Sequence, residues 1–190
     1  MQKTLIIVAF VAMCIAQWFI PFNTILHQET ILSEGRLFKL RTEPIDPSDP
    51  FRGKYITLRF AEDEVAVTDP QAWQDHEYMY ITLADSAGYG RVSRASLYEQ
   101  EGDDCIKVRI SYVYEGNPGA VVFEYPFERF YLEESKASAA ERLYWESRSD
   151  STQQVYAVIR VRNGQAALEN VMINERPIAD IVRALNEKPE

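Results

Sequence analysis

Nineteen consecutive positions without a charge constrain this chain more than any other feature. Residues 4–22 read Thr-Leu-Ile-Ile-Val-Ala-Phe-Val-Ala-Met-Cys-Ile-Ala-Gln-Trp-Phe-Ile-Pro-Phe. As a helix such a run spans about 28 Å, close to the roughly 30 Å hydrocarbon thickness of a bilayer. Trp18 and Phe19 stand near one end, where an amphipathic ring favours the interface, and Pro21 is placed to end the helix. The sequence therefore predicts one transmembrane helix within residues 1–22, and no second run of this kind follows. A cleavable signal is the rival reading. Ala16 would suit a cleavage site, but Cys14 two places earlier does not, and Trp18-Phe19-Ile20 follows. Met13 before Cys14 argues against a lipoprotein signal, which leaves Cys14 as an apolar-helix residue.

Charge orients the span. Residues 1–22 carry Lys3 and no acid, which leaves 19 basic side chains against 29 acidic ones in the remainder of a chain of net charge −9. The positive-inside tendency then predicts a cytoplasmic N-terminus with residues 23–190 outside the membrane. An acidic field repels phosphates, so nucleic acid is not an expected partner. Two cysteines cannot build a disulfide framework, and with two histidines a His-rich metal site is not expected.

Beyond residue 22 the pattern is mostly strand. Residues 23–34 read as a linker, 35–186 as the folded domain and 187–190 as a frayed tail. In 105–114, Ile106, Val108, Ile110, Tyr112 and Tyr114 alternate with Lys107, Arg109 and Ser111, the pattern of a half-buried antiparallel strand. Met79, Ile81 and Leu83 alternate likewise, as do Ile56, Leu58 and Phe60. Phe38 and Leu40 mark an earlier strand and 119–125 a later one. Val155, Ala157, Ile159 and Val161 lead into Asn163-Gly164, and 166–173 returns, which predicts a β-hairpin. Helix is expected over 133–147, where Ala137, Ala140 and Tyr144 recur near helical spacing. A second helix is expected over 177–186, with Ile178, Ile181, Val182 and Leu185 on one face. The expected class is α+β, predominantly antiparallel β with one or two short helices, preceded by the single transmembrane helix.

One segment stands apart. Residues 42–60 hold Pro44, Asp46, Pro47, Asp49 and Pro50, then Phe51-Arg52-Gly53-Lys54-Tyr55, then Leu58 and Phe60. The prolines forbid continuous ladder pairing, the aspartates before them favour turn entry, and Gly53 permits a backbone turn. This stretch resembles the family of bacterial membrane-anchored proteins named for the pattern Gly-Asp-Tyr-x-x-Leu-x-Tyr/Phe, GDYXXLXY. Tyr125 to Glu134, with Glu128 and Arg129, resembles that family's aromatic block, and Val158 to Pro177 its final hairpin. Lys54 stands where the family has aspartate, and Glu133 where a proline usually follows the aromatic block. A lysine neither accepts hydrogen bonds nor binds cations, so the motif reads as a turn-shaping device, with Gly53 and Tyr55 structural and Lys54 exposed. The resemblance implies a location in the bacterial cytoplasmic membrane and a β-rich outer domain, and it leaves room for a multi-pass membrane protein as companion. It does not imply an activity.

The expected function is that of an accessory or interaction protein without catalysis, cofactor or metal. Its oligomeric state is not written in the sequence. Ala9, Ala12 and Ala16, at spacings of three and four, suit helix association in a membrane. Two rivals come from other classes: a Ser–Lys hydrolase using Ser48 with Lys54, and a periplasmic small-ligand binder with an aromatic pocket. Asp103-Asp104 and Asp46/Asp49 lack a cation-loop spacing and read as turns. Cys105 reads as a small buried hydrophobe, and His27 and His76 as surface residues. Arg129, between Glu128 and Phe130, is expected to form an internal ion pair.

Overall fold

The computed structural model describes residues 2–43, 55–100, 102, 104–116, 118–132, 139–140, 142–144, 146–147 and 153–186. These form a mostly antiparallel β structure preceded by one long helix. Helix Gln2–Glu34 presents apolar side chains outward along its length up to Leu26: Trp18 is 75% and Ile20 72% exposed. By length and hydropathy Ile6–Glu34 is apolar enough to cross a membrane.

The helix does not end at Pro21, as the sequence suggested, but runs on to Glu34. A proline forfeits one backbone hydrogen bond, a loss that a long helix held at its far end can absorb. Thr24 Oγ1 donates to the Ile20 carbonyl at 3.0 Å and Thr30 Oγ1 to Leu26 at 2.8 Å. The far end is held by the domain. Ile31 is buried and Arg162 Nη1 lies 2.5 Å from Glu34 Oε2, while the Gly35 N–H closes the last helical turn on the Ile31 carbonyl at 2.9 Å. Residues 23–34, expected as a linker, are thus the last third of the helix, and its final turns are packed on the sheet.

Two five-stranded sheets share one core. The first runs β12-β11-β10-β1-β3, where β1 is Arg36–Glu43, β3 Arg59–Phe60, β10 Val155–Arg162, β11 Gln165–Ile173 and β12 Arg176–Pro177. The second runs β4-β8-β7-β5-β6, with β4 Glu64–Val67, β5 Tyr78–Ser86, β6 Tyr89–Ser96, β7 Cys105–Tyr114 and β8 Gly119–Glu124. A small ladder pairs β2, Tyr55–Thr57, with β9, Arg129–Tyr131. The alternating residues meet in the middle: Phe38, Leu40, Met79, Ile81, Leu83, Ile106, Val108, Ile159 and Val161 are all buried in one cluster. In β10 every residue from Val155 to Ile159 is buried, as in a strand covered on both faces.

The hairpin is formed as its turn chemistry predicted. Asn163 and Gly164 have φ of 48° and 76°, and Arg162 pairs with Gln165 across the turn. Elsewhere the alternation breaks. The expected strand 55–60 is two strands in different ladders, β2 and β3, joined at Leu58, whose N–H donates to the Glu128 carbonyl at 2.8 Å. In β7 a bulge between Ile110 and Tyr112 inserts an extra residue against β8 and reverses the faces. Tyr112 and Tyr114, expected to point inward, are 62% and 56% exposed, while Val113 packs against the core.

Part of the expected helix 133–147 lies outside the described residues. The described ones from 139 to 147 are helical, with Ala140 and Tyr144 buried. The C-terminal helix is Ile178–Asn186; Ile178 and Val182, one turn apart, are buried. Pro177 belongs to β12, and Leu185, in the helix's last turn, is exposed rather than buried with them.

Candidate functional site

The residues singled out in the sequence fall into three groups. Pro44, Asp46, Pro47, Phe51, Arg52 and Gly53, with Ser48, Asp49 and Lys54, lie outside the described residues, and so does Asp103. Leu58 and Phe60 are core. Both are buried, and the Phe60 ring packs edge-on against Tyr125 at 4.7 Å and Phe127 at 5.6 Å between centroids. Tyr55, Glu128 and Arg129 reach the surface through the β2–β9 ladder. Its register sets Tyr55 opposite Tyr131 and Thr57 opposite Arg129.

Among the described residues Arg129 makes no ion pair with a carboxylate; its guanidinium lies 4.8 Å over the Tyr55 ring, with Glu128 near enough to interact by charge. The Tyr55 and Tyr131 rings are 5.6 Å apart. Hydrogen bonding to Tyr131, with the nearby Tyr55, pushes the Arg129 pKa up.

This ladder forms one side of an open cleft of about 790 Å³. Tyr125 and Phe127 floor it; the outward side chains of β7, Lys107 and Arg109, form a second side; Gly164 to Ala166 at the hairpin tip and Gln28 of the helix complete it. Strand alternation puts Lys107, Arg109 and Ser111 on one face because Ile106 and Val108 are committed to the core. The hairpin tip is held beside β7 by the Lys107 N–H, which donates to the Gly164 carbonyl at 2.9 Å. The helix is held beside the tip by His27 Nε2, which hydrogen-bonds Gln165 Oε1.

The charges in the cleft are arranged unevenly. Arg109 is committed to Glu124, its Nε donating to Oε2 at 3.1 Å, while Ser111 Oγ donates to Oε1 at 3.2 Å. The hydrogen bond from Arg109 holds the Glu124 carboxyl below the ordinary carboxylate value. Glu128 is shifted the other way, by partial burial and then by Glu124. Lys107 Nζ lies 4.5 Å over the Tyr78 ring. A hydrogen bond and charge from Glu77 raise the Tyr78 hydroxyl. On the floor, burial pushes the Tyr125 hydroxyl far above its usual value; it donates to the Glu62 carbonyl at 2.9 Å. Cations over aromatic rings, beside amides at Gln28 and Gln165, can receive an anionic group or the polar edge of a partner.

The sequence reading found Tyr55, Glu128 and Arg129 but not Tyr78, Lys107, Arg109, Glu124, Gln28 or Gln165. Their polar alternation was visible; their convergence depends on long-range pairings that no local pattern encodes. Cys105 is buried, and burial raises its thiol pKa, as befits a packing residue. Among the described residues no group of three or more His, Cys, Asp or Glu side chains is placed to hold a metal ion.

A family model described as GDYXXLXY protein matches residues 17–171, most of the chain. No curated protein and no solved structure matches it.

Proposed function

The chain belongs to the GDYXXLXY protein family, and on that premise we propose that it is a membrane-anchored accessory protein. In this reading one helix crosses the bacterial cytoplasmic membrane with its N-terminus inside. The β-rich domain stands on the outer side and presents the rim of the cleft, around the exposed Tyr131, to a membrane-embedded partner.

The observation that carries the reading is the junction between helix and domain. A tethered enzyme or free binder needs only a loose leash, whereas here Ile31 is buried in the domain and His27 meets the hairpin tip. The helix and the cleft therefore hold a fixed relation. A multi-pass protein that bound the apolar helix through van der Waals packing would meet the cleft at a defined place.

The test is a photo-crosslinking residue in place of Tyr131 in the full chain, activated in intact membranes. The expected product is an adduct with a multi-pass membrane protein, lost when the helix Gln2–Glu34 is exchanged for an unrelated span. Adducts with soluble proteins alone would overturn the reading. A reporter fused after Glu190 should be active only in its exported form; activity of a cytoplasm-only reporter there would reverse the orientation.

A further inference from the structure

The apolar stretch of the helix ends where the hairpin tip begins. Ile25 and Leu26 are exposed apolar residues, 61% and 50%, while His27 and Gln28 already touch or face the tip. No spacer separates the two. Resting on the reading of this helix as a membrane span, the bilayer surface falls near residues 26–28, and the cleft stands among the lipid headgroups.

The lining suits that position. Lys107 and Arg129 sit over tyrosine rings, and among the described residues neither is in an ion pair with a carboxylate. Tyr78 and Tyr131 are 43% and 65% exposed. Tyrosine beside lysine and arginine is the composition that membrane interfaces select. Two carboxylates share the cleft. Glu124 is ion-paired with Arg109, and Glu128, whose pKa partial burial raises, stands beside three cations, Lys107, Arg109 and Arg129. In a chain of net charge −9, two cations that make no carboxylate ion pair among the described residues stand out locally from a field that otherwise repels anions.

We infer that this cleft seats the phosphate of an anionic phospholipid in the leaflet against which the domain rests, with Lys107 and Arg129 as its donors. A bound lipid there fixes how the domain lies on the membrane, because the helix and the cleft are one unit.

The molecule supplies its own control. Lys39 lies 5.2 Å over the Tyr156 ring and Arg41 4.3 Å over Tyr89, the same chemistry at the other end of β1. Arg36 pairs with Val161 near the tip, whereas Arg41 pairs with Tyr156, five residues away. Along the strand that puts Arg41 roughly 17 Å and Lys39 roughly 10 Å from the tip end, at about 3.4 Å per residue.

The experiment is native mass spectrometry of the full chain extracted in detergent and titrated with phosphatidylglycerol or phosphatidylcholine. The wild type and the Lys39→Gln/Arg41→Gln variant are expected to retain phosphatidylglycerol in preference. Lys107→Gln/Arg129→Gln is expected to lose affinity by about fivefold for each cation removed. Equal retention by both double variants, or equal loss, overturns the inference. So does displacement of the lipid by millimolar glycerol 3-phosphate, which would mark a site for a free phosphate. Should the double variant fail to fold, Lys107→Glu alone is read in the same titration. Alkaline carbonate extraction separates the two premises: release of the wild type from membranes sinks the span, whereas retention without lipid preference sinks only the lipid site.

Discussion

The carbonyl of Gly164, at the tip of the β10–β11 hairpin, accepts a 2.9 Å hydrogen bond from the backbone N–H of Lys107 in the other sheet. A parallel bridge between Ile106 and Gly164 accompanies it. The tip of a local hairpin is thereby also the stitch between the two sheets and one edge of the cleft.

Gly164→Val is expected to destabilise the domain by about 1–3 kcal/mol, the scale of a strained backbone position. The cost is conformational. Gly164 has φ of 76°, and an added Cβ would meet only Glu99 Oε1 at 3.5 Å and Tyr80 Cε1 at 3.9 Å, ordinary contacts. Gly164→Asn, which tolerates positive φ, should cost clearly less. Urea unfolding of the two variants checks this, and equal midpoints would contradict it.

Gly35 tests the junction of helix and sheet through a different mechanism. Its φ is not positive, but a Cβ there would lie 2.4 Å from the Ile31 carbonyl oxygen and 3.1 Å from both Arg160 Cβ and the Val161 carbonyl. Backbone must move to admit it. Gly35→Ala is expected to loosen the last helical turn from the sheet, seen as faster amide exchange at position 35 and at Ile31 than in the wild type. Gly88→Ala, where φ is 82° and nothing lies within 4 Å, should leave that exchange unchanged.

Tyr125 combines packing with one buried hydrogen bond. It is 4% exposed, its ring contacts Phe60, Phe123 and Phe127, and its hydroxyl serves the Glu62 carbonyl. Tyr125→Phe keeps the ring and strands the carbonyl, which costs about 1–2 kcal/mol. Tyr125→Ala also opens a cavity and should cost about 3–5 kcal/mol. Thermal unfolding in which the two variants lose the same stability would refute the division.

These cases show which parts of the molecule the sequence made legible. Asn163-Gly164 could be read because a tight turn is decided by two residues and their φ preferences. The inward positions of β1, β5 and β10 were legible because one face of each strand is committed to a single core. Alternation alone sends Tyr112 and Tyr114 inward, but the bulge that turns them out depends on the partner strand, β8, and not on β7 alone. Pro21 misled for a similar reason: its local cost is outweighed by the docking of Ile31, ten residues later. The cleft was the least legible feature. Gln28, Lys107, Arg129 and Gln165 are far apart in sequence and meet only because the hairpin tip reaches both β7 and the helix.

The Arg109–Glu124 pair sets a pH dependence whose sign follows from the two shifts. The hydrogen bond from Arg109 lowers the Glu124 pKa from its ordinary 4.5, outweighing desolvation, which acts the other way; Ser111 adds to the lowering. Below the ordinary value the unfolded chain binds this proton first. The contribution of Glu124 is therefore complete above about pH 4.5 and is lost as pH falls through the folded value. Glu128 runs oppositely: burial, then Glu124, raises its pKa, so its contribution is present below the ordinary value and fades as pH rises through the raised one. Because both groups are substantially solvated, the change is read best at the carboxyls themselves. In Arg109→Gln, the side-chain carboxyl carbon of Glu124 should titrate at a higher pH than in the wild type. Glu128, which Arg109 also lowers, should move up as well. Ser111→Ala should raise Glu124 by less, since its hydrogen bond ranks below that of Arg109. A Glu124 midpoint that stays put in Arg109→Gln would mean that the pair does not form in solution.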